Sequence, residues 1–512
     1  MTLKEKIFKT FVVTIREVNS HGGPEAFFEK YPVGGLYFGE GPVYRDENDL
    51  EKGMLYSFEK LQECKKYAKN NLIVCADAAS VFGQTVDFFP QRSLGSIACD
   101  EDAYNWGKVM GMQMNSKGLD WILQPSIDMY MNHMMPLVAI SDDPILTARL
   151  YRQVVKGIQD QGVCATVKHF PGLGTSHINM HIGPGQNTLS FDKWMETYGY
   201  TYKEMFEEGV MSVMTTHVTL KSYDNEITDG FYPIATYSKK LTTDLLKKEL
   251  GFNGVVVTDA LVMGGMATGN LVKEAVQAFK AGADILLWPP IETADAIEEA
   301  ILNGEIPMER LDDALERIER FEKFRRDAIE KNIADEPDVE FVDEFLLHMA
   351  RDGITLLRNN INLVPLDKNI KKVLVIDATD HDEVSSKFLK EELENKGFYV
   401  DVKRDIYDKQ SRVCWQGDAD KIQSEYDLII INLNSVDSSA WSISHMLIWN
   451  SQLFDRKKKI IVNYGSPYMA DDYFPQESTI IEMNCEPNIN AIKALVDGLV
   501  GEYKFTGKPV LH

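Results

Sequence analysis

The sequence predicts a (β/α)8 TIM-type barrel followed by a smaller three-layer α/β sandwich domain. Three observations carry this. Over the first 330 residues, short runs that are apolar almost throughout recur at regular intervals, as strands covered on both faces must be. Between them lie longer amphipathic stretches that close on glycine, as helices do. Beyond a charged stretch, a second and shorter series of apolar runs begins. A chain of 512 residues is too long for one ordinary core, in keeping with two domains.

The expected barrel strands are "VGGLYFG" (33–39), "NLIVCAD" (71–77), "LDWILQPSIDM" (119–129), "GVCATVKHF" (162–170), "GVMSVMTTHV" (209–218), "GVVVTDA" (254–260) and "ADILLWP" (283–289). Helices are expected in "DEDAYNWGKVMGMQMNSKG" and "ILTARLYRQVVKGIQDQG". Strand and helix alternating seven or eight times argue for a closed parallel barrel over residues 1–330. Residues 331–345, opening with "KNIADEPDVEF", read as a linker, and residues 346–512 as the second domain. There "KKVLVID", "YDLIIINL", "KKIIVNYGSP" and "TIIEMNC" are the expected strands. Neither a GxGxxG nor a Walker-type loop accompanies them, so nucleotide binding has little support.

Composition narrows the function. The 44% hydrophobic and 26% charged content is that of a soluble globular protein. A formal net charge of −24 argues against nucleic acid and anionic membranes as partners, because both require a positive face. No apolar run approaches membrane-spanning length, and "MTLKEKIFKTFVVTI" lacks the form of a secretory signal, so a cytoplasmic location is expected. Cys64, Cys75, Cys99, Cys164, Cys414 and Cys485 are scattered without CxxC spacing, which favours reduced, mostly buried thiols over a disulfide framework or a zinc site.

Several expected strands finish in polar residues: Asp77, Asp128, Lys168 with His169, His217 and Asp259. In such barrels the carboxyl ends of the strands form the active-site face. Asp259, closing "GVVVTD", suits a nucleophile, a metal ligand or a helix N-cap, and its position alone leaves these open. The following question is posed by "KHFPGLGTSHINMH" (168–181), which holds three of the ten histidines. His177 and His181 have a four-residue spacing that would pair on a helix, but glycines and prolines make this stretch a loop, so no metal is expected. A loop histidine over a barrel mouth suits proton transfer near neutral pH. With a carboxylate nucleophile it supplies the two groups that retaining glycoside cleavage requires.

"KHFPGLGTSHINMH" resembles the motif of glycoside hydrolase family 3 in its β-N-acetylglucosaminidase branch. That branch reads Lys-His-Phe-Pro-Gly-His-Gly-Asp-Thr, two variable residues, then Asp-Ser-His. "VGGLYFG", "QPSIDM", "GVMSVMTTHV" and "LGFNGVVVTDALVMGGM" match in the same order, as do "GITLLRNNINLVPLD" and "GEYKFTGKPV" in the second domain. The resemblance implies that Asp259 is the nucleophile and His181 the general acid/base. It implies that Lys168, His169 and Asp77 bind sugar hydroxyls, and Asp128 and His217 are expected to line the same site. His177 has no counterpart and reads as a solvated loop residue.

Three departures stand out. Asn179 occupies the place of the carboxylate that partners the catalytic histidine, and its carbonyl can orient the ring without supplying charge. "DAASVFGQT" (77–85) replaces an acidic Gly-Gly-Arg run, and "MMPLVAISDDP" (134–144) lacks the arginine of the branch. Arg92, in "FPQRSLGS", is the candidate to fill that space, while Val81 and the Met134–Met135 pair point to a modified or more apolar sugar. The expected function is a retaining, exo-acting β-glycosidase of β-N-acetylglucosaminidase type, acting as a monomer or homodimer on carbohydrate without metal or cofactor. A β-glycoside phosphorylase and a catalytically silent sugar-binding protein are the alternatives.

Overall fold

The computed structural model describes all residues except 39–49, 78–90, 133–138, 228–229, 267–268, 332, 334–338, 380–383, 405, 407–413, 435–442, 486 and 512, and the side chains of 50–58 and 443–445. Val81, the Met134–Met135 pair and much of the expected linker lie outside the described residues. The chain divides into two compact units.

The first unit comprises Met1–Val86, Asp100–Asn132 and Thr147–Asp338. Its strands are β1 (Phe11–Thr14), β2 (Gly35–Phe38), β3 (Ile73–Ala76), β4 (Trp121–Ile122), β5 (Cys164–Phe170), β6 (Gly185–Asn187), β7 (Ser212–Thr215), β8 (Val218–Leu220), β9 (Val255–Thr258) and β10 (Leu286–Leu287). Eight of them form a parallel sheet in the order β10-β1-β2-β3-β4-β5-β7-β9. A parallel bridge between Val257 and Ile285 joins β9 to the segment entering β10 and nearly closes the barrel. The seven expected strands are present, and β1 is an eighth that the reading of the sequence did not contain.

The sequence explains this geometry. Strands such as "IVCA" and "VVVT" are buried at every position, as an all-parallel sheet covered by helices demands. The helix Asp100–Ser116 opens on Asp100, Glu101 and Asp102, whose charges complement its N-terminal dipole. The helix Pro144–Asp160 starts with proline at its first position, where the missing N–H costs nothing. The two remaining strands of this unit, β6 and β8, pair in parallel, with Gly185 opposite Val218 and Asn187 opposite Leu220.

The second unit comprises Val339–His512 together with two stretches from earlier in the chain, Asp87–Cys99 and His133–Leu146. Its strands are β11 (Thr355–Asn359), β12 (Lys372–Thr379), β13 (Tyr399–Lys403), β14 (Leu428–Asn434), β15 (Lys459–Asn463) and β16 (Thr479–Glu482). They run in the order β11-β16-β15-β14-β12-β13, all neighbours parallel except β11 with β16. Leu374, Ile376, Ile429, Ile431 and Ile461 from the central strands anchor its core. A helix, Val339–Gly353, occupies the last residues of the expected linker and belongs to this unit. All six cysteines are free, and all but Cys99 are buried.

Candidate active site

The carboxyl ends of β3, β5, β7 and β9 bring together the polar residues that the sequence singles out. On β5 the register against β7 shifts between Val167 and Phe170, so strict alternation lapses where Lys168 and His169 stand. Both side chains then reach residues that follow the earlier strands β3 and β4. Lys168 Nζ donates to Asp77 Oδ1 at 2.8 Å, and Gln124 Nε2 lies 3.4 Å from the same oxygen. Lys168 is nearly buried, while the Asp77 side chain keeps 32% of its surface open.

Asp128 is the hub of the next cluster. Its Oδ2 accepts from His169 Nδ1 at 2.7 Å and from Ser126 Oγ at 3.0 Å, and its Oδ1 accepts from the Leu173 amide at 2.7 Å. The carboxylate is wholly buried, so it fixes the His169 ring with Nδ1 protonated. Sequence reading expected Asp128 to bind substrate; in the structure its oxygens accept from His169, Ser126 and Leu173, and it positions the His169 ring.

Asp259 follows β9 directly. Its Oδ2 accepts from Thr216 Oγ1 at 2.8 Å and its Oδ1 from the Ala260 amide at 2.9 Å. Burial pushes the carboxyl up, but the neighbouring His169 and His217 and these two hydrogen bonds outweigh it. The group is held below the ordinary carboxylate value and is ionised at neutral pH.

His217 is also fully buried. Its Nε2 faces the Ala260 carbonyl at 3.2 Å, an atom that can only accept, so Nε2 carries the proton. Nδ1 then accepts from Thr236 Oγ1 at 2.9 Å. Burial, opposed by Asp259 and the Ala260 carbonyl but reinforced by His169 and His181, lowers this histidine from its ordinary value and keeps it neutral at pH 7. Both ring nitrogens are therefore occupied. His217, expected to line the sugar site, stands as a neutral neighbour of Asp259 with its ring held by Thr236 and the Ala260 carbonyl.

The loop after β5 is anchored at both ends. At its start, Trp194 Nε1 donates to the Pro171 carbonyl at 2.7 Å and the Gly174 amide donates to Tyr198 Oη at 2.8 Å. Asn132 Nδ2 reaches the Gly174 and Ser176 carbonyls, each at 2.8 Å. His177, Ile178 and Asn179 then stand exposed. At the far end, the Gly265 amide donates to the Met180 carbonyl and the Gly264 amide to the His181 carbonyl, both at 2.9 Å.

His181 itself is held by Asn179. The Asn179 oxygen Oδ1 accepts from the His181 backbone amide at 3.0 Å, a contact open only to the carbonyl end of the side chain. The same oxygen lies 2.8 Å from His181 Nδ1, which must therefore be protonated. This leaves Nε2, on an exposed ring, to exchange a proton.

Residues 2–321 match the model of the glycosyl hydrolase family 3 N-terminal domain. The chain belongs to glycosyl hydrolase family 3. This family 3 chain is 32% identical over 221 residues to a β-N-acetylglucosaminidase/β-glucosidase of Cellulomonas fimi, covering 41% of this chain and 39% of that protein. It is 27% identical over 321 residues to β-hexosaminidase A of Pseudoalteromonas piscicida, covering 55% and 53%. The matched regions thus span about half or less of these two relatives. Among solved structures, the fold is shared with the β-glucoside phosphorylase BglX at a TM-score of 0.84 and 22% identity, over 100% of this chain and 94% of that one. It is likewise shared with a family 3 β-N-acetylglucosaminidase from Paenibacillus sp. str. FPU-7 at a TM-score of 0.81 and 22% identity, over 100% and 99%.

Arg92 is the residue that the sequence offered for the sugar site. It lies in the second unit with 1% of its surface exposed, and its guanidinium is taken up by the carbonyls of Tyr464, at 2.7 Å, and Gly465. Thr216, Tyr198, Asn132 and the Gly264–Gly265 pair are the contributors that sequence reading missed. Only Thr216, one residue beyond β7 in "MTTHV", carried a usable signal, because it shares a strand end with His217.

Proposed function

We propose that this chain is a retaining β-glycosidase of β-N-acetylglucosaminidase type, with Asp259 as nucleophile and His181 as general acid/base. The observation that supports it best is the state of Asp259: a buried, ionised carboxylate at a strand end, hydrogen-bonded on both oxygens. A metal ligand would need further donors converging on it, and a mere helix cap needs no such electrostatic support.

In the first step an Asp259 oxygen attacks the anomeric carbon while the bond to the leaving oxygen breaks. His181 Nε2 delivers its proton to that oxygen, and the sugar becomes an ester of Asp259. In the second step Nε2 takes a proton from water as the water oxygen attacks the anomeric carbon, and the carboxylate is released. Two inversions give net retention. Asn179 keeps Nδ1 protonated throughout, so every transfer uses Nε2. Lys168, Asp77 and His169 Nε2 present donors and acceptors to the sugar hydroxyls.

Phosphate in place of water gives a second reading, favoured by one observation. The side chain that orients His181 is a neutral amide, so an incoming anion meets one negative charge fewer than it would beside an aspartate.

The test is a panel of 4-nitrophenyl β-glycosides (N-acetylglucosaminide, glucoside, xyloside and galactoside) with and without phosphate. Turnover of the N-acetylglucosaminide that vanishes in Asp259→Asn, with a 2-fluoro glycoside adduct found on Asp259, is the expected result. Dependence on phosphate would select the phosphorylase. Turnover unaffected by Asp259→Asn would overturn the reading, and sugar binding without any turnover would leave a silent binder.

A further inference from the structure

The turn after Asp259 does something that hydrolysis by Asp259 alone does not need. Gly264 and Gly265 form a short helical turn whose two amides point at the carbonyls of His181 and Met180. The approach is closer than any side chain permits. A Cβ on Gly264 would lie 2.5 Å from the Ile182 carbonyl oxygen and 2.8 Å from that of His181. A Cβ on Gly265 would lie 2.7 Å from the Met180 carbonyl oxygen and 2.8 Å from His217 Cβ. Neither glycine has a positive φ, so backbone freedom is not the reason for glycine here; space is.

We infer that Gly264 and Gly265 are positioning residues, a cradle that seats the His181 loop so that Nε2 stands where a leaving oxygen departs from a sugar on Asp259. The inference rests on the reading of His181 as proton donor and extends it to a pair of residues with no side chain. Three things combine. The near end of the loop is fixed at Ser176, whose hydroxyl donates to the Ile178 carbonyl at 2.9 Å and whose carbonyl accepts from Asn132, so the place of His181 is set where the far end lands. It lands on the turn that begins four residues after Ala260, whose amide holds the nucleophile. One short segment thus carries the reference frame for both reacting groups, with only four residues of chain between Asp259 and Gly264.

A methyl group on Gly264 must move the loop from 2.5 Å to an ordinary contact of at least 3.4 Å, a displacement of about 0.9 Å. Misplacement of a catalytic group by about 1 Å lowers rates by roughly 100-fold.

The experiment compares kcat/KM for phenyl and 2,4-dinitrophenyl β-N-acetylglucosaminide in the full chain, in Gly264→Ala, in Gly265→Ala and in the control Gly417→Ala, where a Cβ meets nothing within 4 Å. The phenyl leaving group needs a proton and the dinitrophenyl group does not. The expected result is a loss of about 100-fold for the phenyl substrate with the dinitrophenyl value within a few-fold of the parent. Azide, which attacks without a general base, should restore kcat on the dinitrophenyl substrate and yield a β-glycosyl azide. Circular dichroism identifies a variant that does not fold, and the two glycines are read separately so that either suffices. Equal losses on both substrates, or none on either, would overturn the inference. A parent chain that turns over neither substrate would instead remove the reading of His181 beneath it.

Discussion

Asp128 offers the sharpest test of how the site is assembled. Three donors converge on its buried carboxylate: His169 Nδ1 and the Leu173 amide at 2.7 Å each, and Ser126 Oγ at 3.0 Å. In Asp128→Ala all three lose their acceptor in a place that water does not reach. Hydrogen bonds to a buried charge contribute about 1.5–3 kcal/mol each, and stranded donors add desolvation, so a loss of about 5 kcal/mol or more is expected. Asp128→Asn is milder. Its carbonyl can keep the Leu173 amide while its NH2 turns to His169, which must then give up the Nδ1 proton and carry it on Nε2. Two charge-assisted bonds become neutral ones, a loss of about 2 kcal/mol. Ser126→Ala removes one neutral donor from an acceptor that retains two others, about 1.5 kcal/mol. Urea unfolding followed by circular dichroism should therefore rank the variants Ala, Asn and Ser126→Ala in falling order of damage. Activity should part company with stability in one of them. Asp128→Asn, though the milder of the Asp128 substitutions, reverses donor and acceptor at His169 Nε2 and should raise KM by tenfold or more. An Asp128→Ala protein within about 1 kcal/mol of the parent would refute this account of the hub.

The remaining predictions concern charge, pH and the second unit. Asn179→Asp places a carboxylate against His181 Nδ1 and should speed hydrolysis of poor leaving groups several-fold, yet slow phosphate attack; the ratio of the two rates with and without phosphate reads both effects. His217 binds its proton less readily when folded than at its ordinary value of 6.5. The unfolded chain therefore takes up more protons in that window, so this contribution is present above pH 6.5 and is lost as pH falls through the lowered folded value. His217→Phe should flatten the slope of unfolding free energy against pH just below 6.5, and an unchanged slope would count against the neutral, buried ring. Arg92→Met should destabilise the second unit by about 3 kcal/mol, from two carbonyls deprived of a charged donor. KM for the glycoside should stay unchanged in the folded protein, whereas a raised KM would return Arg92 to the sugar site.

What the sequence discloses about this molecule follows the reach of its local patterns. Strands β5 and β9 are apolar runs that end abruptly in charge, so Lys168, His169 and Asp259 stand out without any knowledge of their neighbours. β1 was illegible because Phe11–Thr14 lies between the helices Leu3–Phe8 and Ile15–Ser20 with no turn residues to set it apart. Residue type and strand-end position located Asp128 and His217, but neither states whether a side chain faces the mouth or the interior. That depends on partners distant in sequence, such as Thr236 for His217. The same holds for Arg92 on a larger scale, its acceptors being more than 370 residues away. Gly264 and Gly265 read as turn residues, since nothing local shows that another segment's carbonyls press against them.

The two early stretches that join the second unit carry a consequence for its biosynthesis and for its exchange. Ser96 Oγ donates to the Gly353 carbonyl at 2.9 Å, and Arg92 waits for carbonyls at positions 464 and 465. On the ribosome, residues 91–99 are made long before their acceptors exist, so this part of the second unit can settle only after most of the chain has emerged. Recombination faces the same constraint. A cut near residue 338 looks like a clean boundary on a linear map, yet it would strand two fragments of the second unit in the middle of the barrel's sequence. A chimera that borrows this unit from another family member must carry three pieces of gene together.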